Sequence, residues 1–138
     1  MDDLYAKLRY VPLFEALSDE ELTSIVKMGK ETRFPAGTNL TTEGTTGVGF
    51  HLILKGRATV SVGGAEKRTL VSGEYFGEMS LLDGEPRSAT VTAATDLRTY
   101  SLASWDFMGL VETEPKVARK IFAALSRRIR ALEGSPTA

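Results

Sequence analysis

Two charged side chains, Glu78 and Arg87, stand nine residues apart in the stretch from Gly73 to Ala94, the one place where unusual residue types sit at informative spacing. Gly73 marks a turn, Gly77 opens a short apolar run with Glu78 in its first turn, and Asp83 to Pro86 form a second turn. Arg87 and then a strand-like segment, Ala89 to Ala93, follow. Glycines ahead of a helix start let backbone N–H groups converge on an anion, and the helix N-terminus adds about half a positive charge. That chemistry suits a phosphate, and Arg87 supplies a planar fork of donors matched to phosphate oxygens. Glu78, acceptor-only when ionised, makes little sense beside a bare polyanion and good sense for a ligand that also offers hydroxyl donors, such as a ribose. Acid for sugar and fork for phosphate together describe a nucleotide. The plainer readings are a carboxylate that complements a helix dipole and a surface arginine paired with Glu85.

The elements that must position these residues change character along the chain. Met1 to Gly29 reads as helical, with Ser18 and Glu21 spaced as a capping box, Leu17 able to staple onto Leu22, and Leu22, Ile25 and Val26 on the apolar face. Gly29 ends that helix, and Leu13-Phe14 form an apolar plug before it. From Glu31 onward, turn signals recur at Pro35-Ala36-Gly37, Glu43-Gly44, Lys55-Gly56, Gly63-Gly64, Ser72-Gly73 and Asp83-Gly84. Phe50, Leu52 and Leu54 alternate between them, as do Ala58, Val60 and Val62, the pattern of many short strands in a sandwich or barrel. Past residue 100 helical spacing returns. Ser104 is placed to cap a short helix through Leu110, and Pro115 fits the first turn of another. Val117, Ile121, Leu125 and Ile129 form its stripe, with Ala124 and Leu132 beside it. The tail from Gly134 to Ala138 reads as disordered.

Composition bounds the answer further. The chain has 138 residues, 42% of them hydrophobic, enough for one core and one domain. Its net charge of −1 supplies no global basic field, which argues against nucleic acid as the main partner. There are no cysteines, so neither a disulfide framework nor a thiolate metal site is available. No secretory signal and no apolar run of about 20 residues is present, which makes the cytoplasm the default location and a membrane span unexpected. It also makes the Asn39-Leu40-Thr41 sequon accidental. His51, the single histidine, cannot build a multi-histidine metal centre and is expected as a strand-surface or turn contact. The basic residues of the last helix are favourable near a helix C-terminus anyway, and no recognition helix follows them.

The run Phe76-Gly77-Glu78-Met79-Ser80-Leu81-Leu82-Asp83-Gly84-Glu85-Pro86-Arg87-Ser88-Ala89 resembles the phosphate-binding cassette of cyclic nucleotide-binding domains, as in catabolite activator-like proteins and cyclic nucleotide-gated channels. The cassette pattern is F-G-E, two small or apolar residues, leucine, a variable turn, then P-R-[ST/A]-A. The resemblance implies a mainly β, α+β fold: an eight-stranded jelly-roll β-roll over residues 31–103. Its cassette, residues 73–89, lies between strands six and seven. N-terminal helices over 1–30 and C-terminal helices over 104–133 would flank the roll. Gly47-Val48-Gly49 departs from the family's usual acidic residue after a turn glycine, a position expected to matter for loop stiffness.

The same resemblance implies a ligand, a 3′,5′-cyclic nucleotide. Serine at position 88, where threonine tends to accompany cGMP, favours cAMP, with cGMP the alternative. The implied binding set is Phe76, Gly77, Glu78, Met79, Ser80, Arg87, Ser88 and Ala89, with Val62 from a strand and Arg128 from the last helix. That helix would fold over the purine as a lid. Spacing leaves open whether Arg127, Arg128 or an apolar residue caps the base, and whether Phe122 or Leu125 packs in the hinge. The expected function is a binding switch without catalysis or cofactor, and the last helix reads as short, which points to a monomer. Two alternatives are a β-roll that no longer binds nucleotide and serves as a protein-interaction module, and a cupin-like enzyme. The first is disfavoured by the presence of both Glu78 and Arg87, the second by the missing histidines and any nucleophile-base pair.

Overall fold

The computed structural model describes residues 2–45 and 49–134. Gly47 and Val48, and residues 135–138 of the tail, lie outside the described residues. Helix α1 (Asp2–Arg9) leads through a single 3-10 turn (Pro12–Phe14) to α2 (Asp19–Met28). The capping box forms as the spacing demands: Ser18 Oγ accepts from the Glu21 N–H at 3.2 Å, and Glu21 Oε1 accepts from the Ser18 N–H at 2.8 Å. Gly29 does follow the helix, but for a different reason from the one its type suggests. Its φ of −84° is open to any residue. What requires glycine is Tyr100, whose ring lies where a Cβ would stand while its hydroxyl donates to the Ile25 carbonyl.

Eight strands follow: β1 (Lys30–Phe34), β2 (Asn39–Thr41), β3 (Gly49–Lys55), β4 (Ala58–Val62), β5 (Ala65–Leu70), β6 (Tyr75–Phe76), β7 (Thr90–Ala93) and β8 (Leu97–Ala103). They pair antiparallel in two four-stranded sheets, ordered β1-β8-β3-β6 and β2-β7-β4-β5, a jelly-roll arrangement. The short helix α3 (Ser80–Asp83) sits between β6 and β7, and α4 (Ser104–Thr113) and α5 (Pro115–Glu133) close the order.

Strand β3 explains how the layers hold together. Residues Gly49 to Ile53 are all buried, so its alternation separates two cores and not core from solvent. Phe50 and Leu52 join Tyr100 and Leu102 on the face that meets the helices. Phe14 locks that layer, with ring centroids 5.6 Å from Phe50 and 5.7 Å from Phe107 of α4. On the opposite face Ile53 packs with Ala58, Leu70, Val91, Ala93 and Leu97 between the sheets. His51 lies on this inner side and is buried, contrary to the surface position expected of it. It stacks on Phe76 at 5.0 Å, and its Nδ1 lies 2.9 Å from Ser101 Oγ.

The C-terminal helices also depart from the sequence reading. Ser104 is the first residue of α4 and makes no capping bond; Ala103 holds the cap position. Pro115 begins α5 as expected, but that helix runs 19 residues and is not short. Only Val117, Ile121 and Ala124 of its stripe are buried, with Leu125 partly so, while Ile129 and Leu132 are exposed. Phe122 is exposed as well, because it follows Ile121 by about 100° around the helix and so points off the docked face.

Candidate functional site

Backbone bonds fix the cassette at both ends, and at its start the Gly73 N–H donates to the Ile53 carbonyl at 2.8 Å. The Arg87 N–H donates to the Thr45 carbonyl at 2.8 Å, and the Arg87 carbonyl accepts from the Gly44 N–H at 2.9 Å. Between the ends, Leu81 is fully buried in the core shared with the helices, which pins α3 from behind. The Leu81 and Leu82 N–H groups return to the carbonyls of Glu78 and Met79, so the turn winds up from Glu78. Gly84 ends it in the left-handed conformation, φ 64°, with its N–H on the Ser80 carbonyl.

Gly77 has two reasons to be glycine. Its φ is +83°, and an added Cβ would collide with Arg87 Nη1 and the Gly49 carbonyl. The arginine thus crosses directly over the Gly77 backbone, and its Nη2 donates to that same carbonyl. Arg87 is 9% exposed, and its Nε is buried without a hydrogen-bond partner among the described residues. It makes no ion pair with Glu85, which instead donates its backbone N–H to Asp83 Oδ1 at 2.9 Å. Burial pushes the guanidinium's pKa below its ordinary value.

Glu78 is likewise 9% exposed. Its Oε1 accepts from Arg128 Nη1 of α5 at 2.8 Å, and its Oε2 is buried without a partner among the described residues. Arg128 Nη1 also approaches Met79 Sδ at 3.5 Å. Nearby, burial raises the pKa of Tyr75, and the charge of Glu78 adds to that. His51, behind the arginine, is held neutral, its pKa pushed down to about 4 by burial and then by the charge of Arg87.

Tyr75, Glu78, Met79, Arg87 and Arg128 face one cavity of about 710 Å³, within the size range of small-molecule sites. Phe76, Gly77, Glu78, Met79, Ser80, Arg87, Ser88, Ala89 and Arg128 all line it. Val62 does not: it stands at the β4–β5 hairpin end, 38% exposed, and Val60, two residues earlier on the same face, lines the cavity in its place. Sequence reasoning also missed Thr41, Arg68 and Leu70. Arg68 lies opposite Val60 because a register shift between Val60 and Ser61 skips Lys67, which even pairing from the Gly63-Gly64 turn would have placed there; nothing in the sequence marks that shift or Thr41. Arg127, the other lid arginine considered, is turned away and pairs with Glu15 at 3.0 Å. Among the described residues no group of acidic or histidine side chains is arranged to hold a metal, and no helix is long and apolar enough to cross a membrane.

Comparison with known proteins gives the family of the chain and not the roles of these side chains. A cyclic nucleotide-gated potassium channel of Rhizobium etli is 40% identical over 119 residues, a match covering 86% of this chain and 33% of the channel. The cyclic AMP receptor protein of Thermus thermophilus is 35% identical over 125 residues, covering 86% of this chain and 57% of that protein. The chain therefore spans between a third and about three fifths of the length of these curated relatives. In three dimensions it is similar to the N-terminal domain of a transcriptional regulator from Streptomyces coelicolor A3(2), with a TM-score of 0.83, 30% identity, and coverage of 96% and 98% of the two chains. Residues 31–114, the whole β-roll with its cassette and α4, match the family model of the cyclic nucleotide-binding domain, and the chain belongs to that family.

Proposed function

We propose that the chain is a sensor for a 3′,5′-cyclic nucleotide, with cAMP the preferred ligand, and that it acts by binding without making or breaking a covalent bond. The observation that carries this reading is that Arg87 and Glu78, each 9% exposed and each with a buried polar atom that has no partner among the described residues, line one cavity. Leaving a charged group buried and unsatisfied costs free energy, so their retention together favours a ligand that satisfies both. A cyclic phosphate takes the arginine fork and the backbone N–H groups at the start of α3; a ribose 2′-hydroxyl donates to Glu78. The aromatic and aliphatic lining contributed by Tyr75, Val60 and Leu70 suits a purine face.

Arg128 extends the reading to output. It holds Glu78 through Oε1, so a ribose hydroxyl on Glu78 joins the same carboxylate that ties α5 to the cassette. Occupancy is then coupled to the position of α5 through one side chain, by the ligand's differential affinity for the arrangements of that helix. The ribose assignment is tested with Glu78→Ala and the 2′-deoxy analogue of cAMP. Losing the acceptor weakens cAMP binding by about 1.5 to 3 kcal/mol and leaves the variant nearly indifferent to the 2′-hydroxyl. A variant that still rejects the deoxy analogue as strongly as the parent contradicts it.

A further inference from the structure

Met79 brings to the cavity a chemistry that nucleotide binding does not need, a thioether sulfur open to oxidation. It is 39% exposed, whereas Met28 and Met108, the other methionines among the described residues, are partly buried against the core. Its backbone is fixed where α3 begins, the carbonyl accepting from the Leu82 N–H at 3.0 Å and from the Asp83 N–H at 3.3 Å. The side chain is therefore presented from a set backbone position.

The sulfur also has a neighbour that gives its oxidation a consequence. Arg128 Nη1 donates to Glu78 Oε1 at 2.8 Å, and the same nitrogen lies 3.5 Å from Met79 Sδ. It thus ties α5 to two consecutive cassette residues, strongly to the first and weakly to the second, because a carboxylate is a good acceptor and a thioether a poor one. Adding one oxygen to the sulfur puts a good acceptor beside that donor in place of the poor one. The flexible apolar thioether becomes a polar, chiral sulfoxide, a change that reductases reverse.

We propose that Met79 is a reversible oxidation site whose sulfoxide locks α5 onto the cassette and lowers the affinity for the cyclic nucleotide. The oxidant is hydrogen peroxide. A sulfur lone pair attacks one peroxide oxygen, the O–O bond breaks, and the departing oxygen leaves as hydroxide, which takes the proton of the transferred oxygen. Sulfur loses two electrons, the peroxide gains them, and the products are the sulfoxide and water. The guanidinium of Arg128 beside the sulfur stabilises the charge that develops on the departing oxygen. Affinity falls for two reasons of the same sign. The sulfoxide oxygen accepts from Arg128 and so favours the arrangement of α5 in which Arg128 holds Glu78, against which a ligand preferring another arrangement must work. It also sets a polar group on the cavity wall where a purine would otherwise cover a thioether, at a desolvation cost. The loss of affinity rests on cyclic nucleotide binding as proposed above; the oxidation and its hold on α5 stand without it.

The test exposes the full chain to dilute hydrogen peroxide and follows each methionine by peptide mass spectrometry. Met79 oxidises about fivefold faster than Met28 and Met108, as its exposure requires. In the oxidised chain without ligand, amide hydrogen exchange around Arg128 slows by about threefold, and Arg128→Ala abolishes the slowing. In calorimetric titration the oxidised chain binds cAMP about tenfold more weakly, the size of one added charge-assisted hydrogen bond. Methionine sulfoxide reductases restore the affinity, and peroxide leaves the affinity of Met79→Leu where it was. Met79→Gln, whose amide oxygen stands in for that of the sulfoxide, reproduces the loss without an oxidant. Faster oxidation of Met28 or Met108, exchange in α5 that does not slow or slows equally in Arg128→Ala, unchanged cAMP affinity after oxidation, or a peroxide effect that persists in Met79→Leu each overturns the proposal. If the unoxidised chain binds no cyclic nucleotide, the nucleotide reading fails, and the peroxide and exchange measurements alone decide whether Met79 is the oxidation site.

Discussion

At the scale of the residue, Arg87 and Glu78 share a predicament that the sequence could only hint at. Their types and spacing are visible in the chain, but their burial is not, and burial is what separates a ligand-binding arginine from a surface one. Truncating a buried charged partner typically costs about 2 to 5 kcal/mol, so Arg87→Ala weakens cyclic nucleotide binding by roughly 30- to 5,000-fold in a calorimetric titration. A loss below threefold removes Arg87 from its proposed role. His51 shows the opposite case, a residue whose environment overturned the expectation. Placed by β3 between the sheets, it must stay neutral, with a folded pKa of about 4 against 6.5 in the unfolded chain. Above pH 6.5 both states are unprotonated there. As pH falls toward 4 the unfolded chain takes up a proton that the folded one refuses, so up to about 3 kcal/mol of stability is lost. Urea unfolding of the parent and of His51→Gln between pH 4 and 7 tests this: the difference between the two curves should slope with pH, and parallel curves contradict it.

At the scale of the element, periodicity was a reliable guide wherever one face meets solvent and a poor one where both faces are covered. The capping box of α2 and the proline start of α5 were legible because they depend on local chemistry within one turn. The alternation of Phe50 and Leu52 was legible too, but its meaning changed: the intervening His51 and Ile53 face a second core. Val62 against Val60 is the same lesson in miniature. Period two assigns both to one face and cannot say where along the strand the cavity stops. Gly29 illustrates a contact that no local rule contains, since its requirement comes from Tyr100 on β8. Gly29→Ala therefore destabilises the fold by about 1 to 3 kcal/mol, as an overpacked core site does, and not by the few tenths expected of an ordinary surface change. A urea midpoint indistinguishable from the parent's would mean that Tyr100 can yield.

At the scale of the whole molecule, one core joins the helices on both sides of the roll to the cassette. Leu81 of α3, Phe107 of α4, and Val117 and Ile121 of α5 belong to the same buried cluster as Phe14 and Leu22 from the N-terminal helices. The jelly-roll class was legible from the turn rhythm and the cassette resemblance; the docking of α5 was not, because a stripe does not state how much of itself is covered. Glu21 with Lys120, Glu15 with Arg127, and Glu78 with Arg128 tie α5 to three separate parts of the molecule. Of these three pairs only the last lines the cavity, so in the proposed switch it is the contact that would carry occupancy to the helix. That coupling requires the cavity to take a cyclic nucleotide. Isothermal titration of the chain with cAMP, cGMP and ATP tests that claim most directly: saturable one-to-one heat with cAMP, weaker binding of cGMP and none of ATP is the expected result, and no heat with either cyclic nucleotide would contradict it.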